Sequence, residues 1–325
     1  MDELVAIVGM HRSGTSLTAQ LVHRLGVTAL GARSMVRADE FNARGYWESA
    51  DLISVNTYLC NFLGCDWRHP LVPPLGWHVS PQLLPVRRRL SRLIEGQPAR
   101  RRSLKDPRMT VTLPFWQSLA RRSATILCLR SPVAVAHSLE RREGMDLRWA
   151  VGLWALHTAL AIRHAQAGRR LYVVYEDLLA APQAQAERVA RFVGAGARRA
   201  AHAADVVAPQ LSHSDGALGR DCAALAVLGR DGEAATALWR AVLDGRAAGW
   251  RPAAAAMLED AADAVLARPP LKPPSAAYRR RHHTRFLIKS LRMVTAGAAA
   301  PPQSVVLPGN RAFGRTRRID RPAEY

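Results

Sequence analysis

The first twenty-five residues constrain the chain more than any other stretch. Leu4-Val5-Ala6-Ile7-Val8 is a short continuous apolar run, the pattern of a strand buried on both faces of a parallel sheet. It ends in Gly9, and Ser16 to Leu25 then reads as a helix. Between them lies Gly9-Met10-His11-Arg12-Ser13-Gly14-Thr15-Ser16. Glycines there let the backbone turn tightly, so that successive N–H groups and the helix N-terminus can surround a phosphate. The spacing follows a Walker A loop as far as the second glycine. Thr15 then stands where that motif has its lysine, the residue that reaches the β and γ phosphates of a nucleoside triphosphate. Ordinary ATP or GTP hydrolysis is therefore disfavoured.

The rest of the chain alternates in the same way. Strands are predicted at Arg102 to Lys105, halted by Asp106-Pro107, at Ala124 to Leu129, closed by Arg130-Ser131-Pro132, and at Leu171 to Tyr175. Helices are predicted at about Thr110 to Arg121, after Arg130-Ser131-Pro132 through about Arg141, at about Asp146 to Ala167, and at Pro182 to Val193, where the proline falls near the helix start. This order implies an α/β, P-loop-like three-layer fold: a central parallel sheet flanked by helices, with sites beyond the strands' C-terminal ends. Residues 28–96, rich in aromatics and proline, read as a helical and loop insertion able to cover such a site. Three regions are expected: a domain over 1–215, an Ala-rich helical extension over 216–268, and a basic, partly disordered tail over 269–325.

The formal net charge is +20, and residues 270–325 hold 12 basic and 2 acidic side chains. Such a balance calls for an anionic partner: a polyphosphorylated donor, an acidic glycan, an anionic membrane or nucleic acid. No recognisable nucleic-acid-binding module accompanies the charge, so no nucleic acid is expected. In the tail, Arg285, Lys289 and Arg292 fall on one helical stripe and Leu287, Leu291 and Val294 on another. A short basic amphipathic helix of this kind can make peripheral contact with an anionic membrane. No run of about 18 apolar residues suggests a span, and the acidic start Met1-Asp2-Glu3 does not read as a secretory signal. Cys60, Cys65, Cys128 and Cys222 show neither paired nor metal-ligand spacing. The expectation is a reduced, cytoplasmic, metal-free protein, with membrane association through the tail as an option.

His11-Arg12-Ser13-Gly14-Thr15-Ser16 resembles the 5′-phosphosulfate loop of sulfotransferases that use 3′-phosphoadenosine-5′-phosphosulfate (PAPS), with a core similar to that of the tyrosylprotein and glycan branches. Two further segments carry the resemblance. Leu129-Arg130-Ser131-Pro132 with Ser138 resembles the family's strand-ending Arg and helical Ser, and Tyr175-Glu176-Asp177-Leu178 resembles its Tyr-Glu-Asp-Leu. The likeness covers about residues 3 to 215. It implies PAPS as co-substrate, with the loop from His11 to Ser16 on the 5′ side, Arg130 and Ser138 on the 3′-phosphate, and Tyr175 near the adenine. A guanidinium fork and a hydroxyl are suited to a phosphate. Glu176 and Asp177 are expected to serve structure.

Sulfuryl transfer needs a base for the acceptor proton and positive charge for the departing phosphate. Arg12 and Lys105 are the expected cations, Lys105 resembling the lysine of the family's Lys-Thr-His segment. Pro107 occupies the place of that segment's histidine base. The candidate base is therefore Glu48, beside Tyr46 and Trp47, whose rings would desolvate it; His11 is the rival. Asp106 is expected to orient a cation, and Arg108 to contact donor or acceptor or to sit at a solvated helix start. Trp116 and Trp154 read as core, Trp67 and Trp77 as candidates for an acceptor surface, and His213 has no role. The acceptor is expected to carry a free hydroxyl, on a glycan or lipid-linked molecule. The competing readings are a P-loop kinase-like enzyme and a nucleic-acid-binding protein.

Overall fold

The structure, a computed structural model, describes residues 3–36, 45, 47–95, 101–165, 169–207, 224–226 and 228–268. Tyr46, His213, Cys222 and the whole basic tail, with its expected amphipathic helix, lie outside the described residues.

Five strands form one parallel sheet: β1 (Glu3–Val8), β2 (Thr28–Ala29), β3 (Arg101–Lys105), β4 (Arg122–Leu129) and β5 (Arg170–Val174). Their order is β2-β3-β1-β4-β5, with Ile7 opposite Lys105 on one side and Ile126 on the other. The chain goes first to one side of β1 and later to the other. The C-terminal end of β1, between those of β3 and β4, is therefore the switch point at which open α/β sheets bind ligands.

Period-two alternation distributes the strand side chains between two cores. Val5, Ile7, Ile126, Cys128 and Val173 face α1 (Thr15–Arg24), α8 (Pro182–Val193) and α9 (Ala197–Ala204). Leu4, Ala6, Val8, Leu104, Leu127 and Leu129 face the opposite layer. That layer holds α2 (Ala50–Leu63), α3 (Leu84–Glu95), α4 (Met109–Gln117), α5 (Pro132–Glu143) and α6 (Leu147–His164). A short α7 (Tyr175–Ala180) follows β5 directly. Cys128 is buried between the layers, where burial pushes its thiol up to about 12, so it stays protonated and inert.

The Ala-rich segment supplies two helices, α10 (Gly229–Ala247) and α11 (Pro252–Leu266). They share the larger core through Leu238, Trp239, Val242 and Leu258. Trp239 meets Trp154 edge to face at 6.1 Å, and Trp250 stacks on Tyr172 at 4.3 Å. Arg246 pairs with Asp177 and Arg170 with Glu259. Small alanines allow α10 and α11 to lie close against α6, while the tryptophans fill the spaces between.

Candidate active site

The phosphate loop is shaped by close backbone approach. A Cβ on Gly9 would lie 2.5 Å from the carbonyl oxygen of Cys128, so only glycine lets β1 leave the sheet so near β4. Arg12 and Gly14 both adopt left-handed conformations, with φ of 70° and 83°. At Arg12 this is unusual for a residue with a side chain and costs on the order of 1 kcal/mol. Left-handed residues in such turns gather N–H groups into an anion-binding nest. Ser13 N–H closes the turn onto Met10 O at 3.1 Å. Gly14 is the N-cap of α1, and no side chain caps that helix end, which leaves its first-turn N–H groups to a ligand.

Distant segments converge on the loop. Arg12 Nε donates to Ser138 Oγ at 2.9 Å, and Arg130 Nη1 donates to Arg12 O at 2.9 Å. The Arg130 guanidinium lies 4.4 Å above the Tyr175 ring, a cation–π contact. That ring in turn covers Gly14, where a Cβ would lie 2.4 Å from Tyr175 Cδ2. The ends of β4 and β5 are tied together by Ser131 N–H donating to Glu176 Oε1 at 3.1 Å. Trp154 Nε1 donates to Arg130 O at 3.0 Å, so this core tryptophan also holds the site's backbone. Arg12, Arg130, Ser138 and Tyr175 thus form one contiguous group with the loop. Two guanidinium groups, hydroxyls, an uncapped helix end and an aromatic face suit a nucleotide bearing phosphates at two positions.

A second group lies at the end of β3. Lys105 Nζ pairs with Glu48 Oε1 and donates to Ser16 Oγ at 3.2 Å, with Lys105 and Glu48 both buried. Glu48 is carried there by a short antiparallel bridge, Met35 to Ser49, with Val36 N–H donating to Glu48 O at 2.8 Å. Ser49 then caps α2 by accepting from Leu52 N–H at 3.1 Å. Trp47 is left-handed, at φ 56°, and its ring faces His23 at 5.0 Å. The Glu48 carboxylate therefore has the Lys105 ammonium for a partner, and that ammonium also meets a loop hydroxyl.

Asp106 and Arg108 extend this group inward. Asp106 Oδ1 accepts from Arg108 N at 2.8 Å and Nη1 at 3.1 Å, while Asp106 Oδ2 accepts from Asn56 Nδ2 at 3.0 Å. Asn56 Oδ1 accepts from Thr112 Oγ1 and Trp116 Nε1, both at 2.7 Å. Arg108 is thus an oriented guanidinium with 13% of its side chain exposed, and not a solvated helix start. Burial opposes its charge, but Asp106 and Glu48 more than offset that and hold its pKa up.

His11 projects from the loop against Trp67, with ring centroids 4.4 Å apart, and its Nε2 is buried without a hydrogen-bond partner. Burial, with Arg108 and His157 next, lowers its pKa well below the ordinary histidine range, so the ring is neutral. Behind it, His157 Nε2 lies 2.8 Å from Trp67 O and Nδ1 lies 2.6 Å from Thr110 Oγ1. Only an N–H satisfies the carbonyl, which fixes the neutral tautomer with Nδ1 accepting. Burial holds this ring at about 4. Trp77, read from sequence as a candidate surface ring, is instead buried in the larger core. Asn56, Thr110 and His157 escaped the sequence reading because each acts across some fifty residues or more and belongs to no motif. Among the described residues no group of three or more His, Cys, Asp or Glu is placed to hold a metal ion.

Comparison with known proteins assigns the family. The model of the family described as "Sulfotransferase domain" matches residues 2–214. The chain belongs to that family, and it is a sulfotransferase of the kind that takes its sulfuryl group from PAPS. Two solved structures are similar to it at 18% identity. The sulfotransferase domain from the Synechococcus PCC 7002 olefin synthase has a TM-score of 0.38, with 60% of this chain and 74% of that one covered. The sulfotransferase domain from the curacin biosynthetic pathway has a TM-score of 0.37, with 60% and 75% covered. No curated protein matches the chain.

Proposed function

We propose that the loop from His11 to Ser16, with Arg130, Ser138 and Tyr175, holds PAPS, and that Glu48 and Lys105 carry the transfer to an acceptor hydroxyl. The observation that carries this is the meeting of the two groups across the loop. Arg12, Ser138 and Arg130 lie on one side of it, and Ser16, Lys105 and Glu48 on the other. PAPS supplies the activated sulfuryl group. The acceptor oxygen forms a bond to sulfur as the bond from sulfur to the phosphate oxygen breaks, giving a sulfate ester and adenosine 3′,5′-bisphosphate. Glu48 takes the acceptor proton. Arg12 and Lys105 offset the negative charge gathering on the departing phosphate, the kind of preorganised stabilisation that is strongest in a buried site. Lys105 also holds the Glu48 carboxylate in place, so one residue serves both ends of the displacement.

The acceptor in this reading is a glycan or lipid-linked hydroxyl. A carboxylate base and a strongly cationic chain, +20 overall, suit acidic saccharides better than small phenols. The donor assignment is tested by thermal shift: adenosine 3′,5′-bisphosphate should stabilise the protein by about 2.7 kcal/mol at a hundred times its dissociation constant. A larger shift with ATP and Mg²⁺ would remove it. Transfer from radiolabelled PAPS to saccharide, lipid-linked saccharide, peptide and phenol acceptors tests the rest, and labelling of the phenol alone would refute the glycan assignment.

A further inference from the structure

We infer that the proline-braced segment Val72–Leu84, with the basic helix α3 that follows it, is a docking surface for an anionic lipid bilayer. Among the described residues the exposed large hydrophobics are Val72, Leu75, Val79, Leu84 and Met257, and four of these five fall in this one segment. Leu75 stands fully clear of the protein. Side chains so displayed are stable in water only at a cost, and their gathering in one stretch marks a contact surface.

The segment is held rigidly from beneath. Trp77 and Leu83 are buried in the larger core, and 3₁₀ turns at Trp77–Val79 and Pro81–Leu83 set the backbone between them. Arg87 Nη1 reaches back from α3 to His78 O at 3.1 Å and to Ser118 Oγ at 2.6 Å. The exposed apolar side chains therefore stand on a fixed platform, and ordering them on binding costs little.

Charge selects the occupant. From Pro70 to Ile94 there is no Asp or Glu, while Arg87, Arg88, Arg89 and Arg92 follow the apolar stretch directly. Arg88 is exposed. Apolar side chains beside arginines match a bilayer, whose acyl chains accept the former and whose anionic headgroups accept the latter. A second copy of the chain would bring two arginine-rich surfaces together at a net charge of +20 each. An acidic protein would answer the charge, but a fully projecting Leu75 needs a pocket to enter, which fluid lipid supplies without a preformed partner.

The segment is joined to the site through the chain. Trp67, just before this segment, packs against His11 of the phosphate loop, and Arg68 lies 5.0 Å over its ring. A hydroxyl borne by a lipid headgroup would thus be presented at the start of the segment whose other end touches the membrane. That delivery rests on the acceptor reading above, whereas docking does not.

The test is co-sedimentation of the full chain with phosphatidylcholine vesicles, with and without phosphatidylglycerol. Binding is expected to the phosphatidylglycerol vesicles, and the double variant Leu75→Asp/Val79→Asp should weaken it at least about tenfold. Arg88→Glu should weaken it less. The tail is unchanged in these variants, so equal binding by wild type and double variant would assign the contact to charge elsewhere and overturn the inference. Absence of binding to phosphatidylglycerol vesicles would overturn it in favour of an acidic protein partner. A dimer that the double variant converts to monomer, by analytical ultracentrifugation, would overturn it in favour of self-association. Both substituted positions are exposed, so an unchanged thermal shift with adenosine 3′,5′-bisphosphate shows that the variant is folded. Vesicle binding without any such shift in the wild type would leave the docking surface standing and the donor reading refuted.

Discussion

The two ends of the site are built by different means. On the proposed donor side, residues 9 to 16 form a loop whose shape is backbone geometry, and Arg130 and Tyr175 reach it from the ends of the adjacent strands. On the proposed acceptor side, Glu48 and Asn56, Trp67, Arg108 and His157 come from four separate stretches and are held by hydrogen bonds from side chains. A backbone-built site tolerates change in most side chains, because its donors are N–H groups. A site built from buried side chains depends on every link, since each unsatisfied partner costs its full desolvation.

The largest effect should come from the acceptor side. Glu48→Gln keeps the size and can still accept from Lys105 but has lost its basicity, so the transfer rate should fall by about 10²–10⁴. Affinity for adenosine 3′,5′-bisphosphate should barely move, and its measurement also reports whether the variant folds around the buried Lys105. His11→Asn made in parallel separates the two candidate bases. A collapse there, with a near-normal rate for Glu48→Gln, would transfer the role to the histidine.

Acid should separate the two ends next. His157 and His164 are both held at about 4 by burial, below their ordinary value of 6.5. Their depressed values favour the unfolded chain as pH falls: stability is full above about 6.5 and is lost progressively toward about 4. Each contributes on the order of 3 kcal/mol over that window. Urea melts at a series of pH values should show the decline, and His157→Asn should make it shallower between about 6.5 and 5, with the share of His164 remaining, before most carboxylates titrate. The same slope in the variant would mean that the contact between Trp67 and His157 does not govern acid stability.

Arg130→Ala comes third. It should weaken bisphosphate binding by about 2–3 kcal/mol through loss of a charge-assisted contact. Arg130→Lys should recover only part, because an ammonium can neither fork onto a phosphate nor stack on Tyr175 as a plane. Unchanged calorimetric affinity in Arg130→Ala would take this residue out of the donor site and erase the distinction between the two ends.

The same distinction explains what the sequence could show. Glycine spacing after an apolar run, Arg130 closing β4 and Tyr175 following β5 are local patterns, and the helices and strands carrying them lie within a few residues of where periodicity puts them. The α/β layering followed from that alternation. β2, only Thr28–Ala29, is too short to show any period. Trp77 sits among prolines that read as surface, yet it anchors the segment from below. The Ala-rich helices α10 and α11 have no motif, and it is the packing of Leu238, Trp239 and Leu258, with Trp250 between the helices stacking on Tyr172, that makes them part of the same core. Glu48 was visible as a carboxylate near a turn, but its pairing with Lys105 spans 57 residues and has no sequence signature.

The smallest effect should be at Ser138, and it tests how far the donor end depends on side chains at all. Its hydroxyl accepts from Arg12 Nε at 2.9 Å, so Ser138 both offers a ligand contact and holds a loop side chain. If the backbone of the loop does most of the binding, Ser138→Ala should cost about 0.5–1.5 kcal/mol, roughly a tenfold loss in bisphosphate affinity at most. The two roles separate in a double-mutant cycle with Arg12→Ala. A Ser138 that acts only by holding Arg12 becomes silent once Arg12 is gone, giving a coupling as large as its single effect. A Ser138 that binds the nucleotide directly keeps its effect in the Arg12→Ala background, and the two losses add to within about 0.5 kcal/mol. A cost well above 1.5 kcal/mol for Ser138→Ala alone would show that the loop is not self-supporting, and the contrast between a backbone-built end and a side-chain-built end would fail there.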